Sequence, residues 1–167
     1  MAIYLISDPH FGHKNIIKYE NRPFESAEEM DEVMIENWNK TVSKKDTVIC
    51  LGDFSFHSQE TTAVILKMLN GRKELILGNH DRARSVSWWQ KTGFDQVYKY
   101  PICIEEFYWL SHEPMYMNKN MPYCNLHGHI HSQKMADETQ FVNLSVEHIN
   151  YTPVLFEGVK KDILKNA

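Results

Sequence analysis

The residues of this chain best suited to chemistry are Asp, His and Asn side chains that follow short apolar runs. Ala2–Ser7 leads into Asp8-Pro9-His10, Thr47–Leu51 into Gly52-Asp53, and Leu75–Leu77 into Gly78-Asn79-His80-Asp81. Phe107–Ser111 leads into His112, and Cys124–Leu126 precedes Gly128-His129-Ile130-His131. Asp8, His10, Asp53, Asn79, His112, His129 and His131 offer four imidazoles, two carboxylates and one amide oxygen. Acceptors gathered in that number are hard to bury without a positive charge among them. A metal site is therefore expected. One tetrahedral zinc takes about four protein ligands, too few to use this set. Two ions roughly 3.5–4 Å apart, bridged by one carboxylate and a hydroxide, would use all of it. Nitrogen and oxygen donors without thiolate suit Mn, Fe, Zn, Co or Ni rather than Ca or Mg.

Such residues converge only if the elements before them end at one edge. In open α/β sheets the carboxyl ends of the strands form such an edge. The front half of the chain reads β-α-β-α-β-α. Ser26 with Glu29 makes a capping box for a helix over residues 26–41, with Met30, Val33, Met34 and Trp38 on one stripe. Further helices are expected over Gln59–Leu69, stopped by Asn70-Gly71, over Ala83–Lys91, and from Gly158 to about Asn166. The back half reads as short strands at 96–100, 102–105, 107–111, 124–126, 141–145 and 153–157. Two sheets packed on each other and flanked by helices satisfy that order. Pro114–Tyr123 reads as a loop over the edge of the site, and Trp88-Trp89 as helix packing rather than a base-stacking platform.

Composition narrows the remaining possibilities. Length fits one domain over residues 1–167. A net charge of −4 argues against long nucleic acid as the partner and leaves a nucleotide or small phosphoester open. Cys50, Cys103 and Cys124 are too scattered for a disulfide framework and are expected to be small buried residues in a reducing compartment. The chain starts on a strand-like run with no charged leader, and no apolar run approaches the ~18 residues of a membrane span. A cytoplasmic protein without a membrane partner is the expectation. Oligomeric state is not argued by the sequence.

In order and spacing, Asp8-x-His10, Gly52-Asp53, Gly78-Asn79-His80-Asp81, His112 and Gly128-His129-x-His131 resemble the five-block pattern of the calcineurin-like metallophosphoesterase superfamily. The opening Ser-Asp-Pro-His-Phe-Gly-His looks like its small single-domain bacterial and phage-type members. The resemblance implies a four-layer α/β/β/α sandwich and two divalent ions, manganese favoured. It implies a first ion on Asp8, His10 and His131 with Asp53, which bridges to a second completed by Asn79, His112 and His129. Water between two such ions loses a proton near neutral pH and can attack phosphorus in line. His80 is the expected proton donor to the leaving oxygen, with Asp81 placed to orient it. Phosphoprotein phosphatases carry an aspartate where Phe56 stands here, which counts against protein-phosphatase activity. A phosphodiesterase on a small or nucleotide substrate is expected. Phosphomonoesterase action, nuclease action on longer strands and a non-catalytic metal-binding scaffold are the alternatives.

Substrate contacts are sought in residues near these blocks. Arg82 and Arg84 follow the Asn-His-Asp turn and could fork onto a phosphate, or simply sit in solvent. His13 lies on the same loop as His10 and could contact phosphate or support the site. His57 is a rim candidate, His127 a weaker one, and His148 is expected at the surface.

Overall fold

The computed structural model describes residues 1–135 and 140–166. Its first sheet holds β1 (Ile3–Ile6), β2 (Thr47–Cys50), β3 (Arg72–Ile76), β4 (Gln96–Tyr98) and β9 (Val154–Leu155), in the order β4-β3-β2-β1-β9. The first four run parallel, and β9 pairs antiparallel to β1. The second sheet orders β5 (Ile102–Ile104), β6 (Tyr108–Leu110), β7 (Cys124–His127) and β8 (Phe141–Asn143). Here β5 is antiparallel to β6, while β6, β7 and β8 are parallel. These are two mixed sheets, as expected.

Alternation along the strands divides the core in two. Leu5, Ile49, Leu51 and Ile76 meet Tyr108, Leu110, Leu126 and Leu144 between the sheets. The opposite face of the first sheet, with Ile6, Val48, Cys50 and Leu75, buries the stripe of α2 (Ala27–Thr41): Met30, Met34 and Trp38. Ser26 caps that helix by accepting from Glu29 N at 3.1 Å. α3 (Gln59–Met68) adds Ile65 and Leu66 to the same core, and α4 (Val86–Thr92) adds Trp89. α5 (Phe156–Asn166) sets Phe156 into the inter-sheet core, with Val159 and Ile163 packed against it.

Several expectations need adjustment: the strand expected over 153–157 ends at Leu155, because the closing helix already starts at Phe156 rather than Gly158. α4 starts at Val86 because Ser85, not a residue before Ala83, caps it by accepting from Trp88 N; Asp81–Ala83 forms a separate 3-10 turn. α1 (Lys14–Tyr19) carried no signal, because it is short, uncapped by any side chain and buries only Ile16. Cys103 is exposed rather than buried, on β5, which ends its sheet; Cys50 and Cys124 are buried.

Candidate metal centre

Parallel pairing brings the tails of β1, β2 and β3 in one sheet, and of β6 and β7 in the other, to one edge. The ladder continues past the strands: Asp8 N donates to Gly52 O at 3.1 Å, His10 N to Asp53 O at 3.1 Å, and Phe11 N to Phe54 O at 3.0 Å. The chain then turns sharply. Asp8, His10, Asp53, His129 and His131 all adopt left-handed backbone, with φ between 48° and 71°. Non-glycine residues held so cost on the order of 1–3 kcal/mol each and cluster at functional sites. Glycine is required where two tails touch: a Cβ at Gly128 would collide with Ser7 Oγ and Asp8 Oδ2.

Each central carboxylate is anchored by one oxygen and aims the other inward. Asp8 Oδ2 accepts from His129 N at 2.8 Å and Ser145 Oγ at 3.0 Å. Asp8 Oδ1 is buried without a hydrogen-bond partner, as is His10 Nε2, 3.7 Å away. His131 Nε2 lies 3.9 Å from the same Asp8 oxygen. Asp53 Oδ1 accepts from His80 N at 3.0 Å, while Oδ2 stands 3.5 Å from both His10 Nε2 and His112 Nε2. Orphaned buried acceptors are costly; a cation among them removes the cost.

A second convergence lies beside the first. Asn79 Oδ1 is 2.8 Å from His112 Nε2 and 2.9 Å from His129 Nδ1, and the two ring nitrogens are 3.2 Å apart. His112 Nδ1 faces the Leu51 carbonyl at 2.9 Å, so it carries the proton and leaves Nε2 as a bare lone pair. A bare nitrogen facing an amide oxygen is repulsive unless a cation sits between them. Among the described residues, Asp8, His10 and His131 form one group able to hold an ion, and Asp8, Asp53 and His112 another, each with ligand atoms within 4.8 Å. Asp8 is common to both groups, and Asp53 Oδ2 lies 3.5 Å from one imidazole of each, His10 and His112.

Electrostatics agree with this crowding. Burial, with the charges of Asp81 and Asp8, pushes Asp53 up to about 8. Burial alone would raise Asp8, yet His10, His112 and His131 hold it below the usual carboxylate range. Burial takes His10 down to about 4 and also lowers His112, keeping both neutral and able to ligate. Burial opposes a proton on His131, but its hydrogen bond to Glu147 raises it overall.

The model of the calcineurin-like phosphoesterase family matches residues 1–165. The chain belongs to that family. It is 38% identical over 173 residues to an uncharacterized protein of Methanocaldococcus jannaschii, covering 98% of this chain and 92% of that one. The Gene 66 protein of Mycobacterium phage L5 is 40% identical over 81 residues, 47% of this chain and 39% of its own. A crystal structure of an Aquifex aeolicus protein superposes with a TM-score of 0.75 at 28% identity, covering 96% of this chain and 98% of that one. Calcineurin-like phosphoesterases are metal-dependent hydrolases of phosphoester bonds, and the donor set described above fits divalent ions.

The other residues singled out in this phosphoesterase fall into place differently. His80 is about half exposed, with Nε2 3.9 Å from Asp53 Oδ2; partial burial and the neighbouring His129 and His131 lower its pKa. Among the described residues no hydrogen bond joins Asp81 to the His80 ring. The Asp81 carboxylate accepts instead from Asp53 N at 2.7 Å, Gly78 N at 3.0 Å and Phe54 N at 3.2 Å, tying two ligand-bearing turns together. Arg82 forms a fork with Glu113 at 2.7 and 2.6 Å, and Arg84 lies over the Trp88 ring at 5.1 Å, so both guanidinium groups already have partners. His57 binds Asp31 at 2.7 Å, His127 turns Nδ1 to the Gly128 carbonyl, and His148 is exposed. Trp89 is core, donating through Nε1 to the Asp81 carbonyl.

Sequence reasoning missed Arg22 and Glu147. Arg22 donates to the Asp8 and Pro9 carbonyls, each at 2.9 Å, and to Glu147, whose carboxylate in turn faces His131 Nδ1 at 3.2 Å. No local pattern marks a pair 125 positions apart.

Proposed function

We propose that this phosphoesterase is a two-ion phosphodiesterase acting on small phosphodiesters or nucleotides, with manganese the favoured metal. The observation that carries this reading is the pair of convergences that share Asp53 Oδ2. In our reading Asp8 Oδ1, His10 Nε2, His131 Nε2 and Asp53 Oδ2 hold the first ion. Asp53 Oδ2, Asn79 Oδ1, His112 Nε2 and His129 Nδ1 hold the second. Bound there, the cations would acidify a water and neutralise charge growing on the phosphoryl oxygens. The chain itself keeps the carboxylates fixed by their outer oxygens and presents His80 at the mouth. His80 is the group we assign to protonate the leaving oxygen. A lowered pKa makes it the stronger acid, and its contribution fades as pH rises.

Preference for a diester follows from charge. A monoester dianion needs more positive charge at the mouth than a diester monoanion, and the Arg82 guanidinium is already matched by Glu113. Asp81 we assign to scaffolding of the Asp53 and Gly78 turns. The free thiols favour a reducing cytoplasm, and no helix among the described residues is long and apolar enough to cross a membrane. Rates on bis-p-nitrophenyl phosphate and p-nitrophenyl phosphate, measured after chelation and again with manganese restored, test the reading. Manganese-dependent turnover favouring the diester is expected. Preference for the monoester would reverse the substrate assignment, and inertness in every divalent metal would leave a scaffold.

A further inference from the structure

Three of the metal-facing imidazoles have their outer nitrogens held by the protein, and one of the holders is itself an imidazole. His112 turns Nδ1 to the Leu51 carbonyl and His131 turns Nδ1 to Glu147. His10 turns Nδ1 to His13 Nδ1, 3.0 Å away. At that distance one ring nitrogen donates and the other accepts. His10 Nε2 is the buried atom without a hydrogen-bond partner, 3.5 Å from Asp53 Oδ2. A neutral imidazole that offers Nε2 to a cation carries its proton on Nδ1. His13 must then accept at Nδ1 and keep its own proton on Nε2.

The contact is built rather than incidental. His13 N donates to the His10 carbonyl at 3.0 Å, closing a turn through Gly12 at φ 77°. Gly12 N donates to Asp31 Oδ1 at 2.9 Å, and a Cβ there would press on the His57 ring at 2.5 Å. Phe56 stacks on His13 at 4.0 Å and 14°, and on His10 at 5.1 Å and 18°. One phenyl ring therefore keeps both imidazole planes nearly parallel.

We propose that His13 is a positioning residue for the first ion: it accepts the Nδ1 proton of His10 and so fixes the tautomer and plane in which His10 offers Nε2. This rests on the two-ion reading above, and of the two roles open to His13 it selects support of a ligand over contact with phosphate. Losing such a partner weakens metal binding by about 10–100-fold. Calorimetric titration of manganese into chelator-stripped protein compares the natural chain with His13→Ala and with His13→Asn, whose amide oxygen can accept the same proton. His13→Ala should weaken one of two binding steps by about 10–100-fold and leave the other unchanged. His13→Asn should recover most of the loss, with the metal-free melting temperature unaltered in both. Identical isotherms for the natural chain and His13→Ala would overturn the proposal, as would equal weakening by alanine and asparagine. If the natural chain binds two ions and cleaves the diester while His13→Ala behaves identically, this inference alone fails. If the natural chain binds no ion, the two-ion reading falls and takes it along.

Discussion

Replacing Arg22 by methionine asks how the Asp8–His10 turn is held. The Arg22 side chain is wholly buried; it donates to Glu147 through Nε at 2.9 Å and Nη2 at 2.7 Å, and to two carbonyls of the turn. Methionine keeps much of the volume but no donor, leaving a carboxylate only 7% exposed with His131 Nδ1 as its remaining partner and the Asp8 and Pro9 carbonyls without the guanidinium. Breaking a buried ion pair from one side costs about 3–5 kcal/mol. In a chain of this size each kcal/mol moves Tm by roughly 2–4 °C. Chelator-stripped Arg22→Met should therefore melt roughly 6–20 °C lower. Adding Glu147→Leu removes the carboxylate that has lost its guanidinium and should recover part of that stability, because an apolar replacement of a whole buried pair is often near neutral. It should not recover manganese affinity, since His131 has lost its acceptor. Urea unfolding and manganese titration on the same samples separate the two effects. A single variant within about 1 kcal/mol of the natural chain, the level of an exposed pair, would refute the reasoning, and so would a double variant less stable than the single one.

His80→Asn should retain both ions yet slow turnover by about 10²–10⁴-fold on diesters with alkyl leaving groups, and far less with p-nitrophenolate; equal losses on both would remove His80 from the proton-donor role. Asp81→Asn places an amide donor against backbone N–H groups and should cost about 1–3 kcal/mol in urea unfolding; an unchanged midpoint would contradict its scaffolding role. Ion binding near neutral pH should release about one proton, because Asp53 at about 8 holds one in the ion-free chain and must give it up to a cation. Affinity should climb as pH rises towards 8 and then level. Calorimetry in buffers of different ionisation heat reads the number, and a buffer-independent heat would count against it.

Much of the arrangement was legible because ligand types sit directly behind apolar runs. Asp8, Asp53, Asn79, His112 and His129 are each within a few residues of a strand whose periodicity announces it. Ser26 and Glu29 likewise marked the start of α2. What escaped was whatever depends on partners distant in sequence. Asp81 stands beside His80, so an orienting role looked natural, yet its hydrogen bonds reach across to Asp53 and Phe54 as well as back to Gly78. Arg22 follows a short helix without any periodic mark, and its value lies wholly in the tertiary contacts to Asp8, Pro9 and Glu147. Arg82 looked available for phosphate until the turn after β6 brought Glu113 against it.

The Asp81 carboxylate has one further consequence. By suspending the Asp53 and Gly78 turns from a single group, it sets their spacing through protein contacts alone. In the two-ion reading, chelation would then demand little rearrangement of the polypeptide, and one divalent species could replace another without refolding the site.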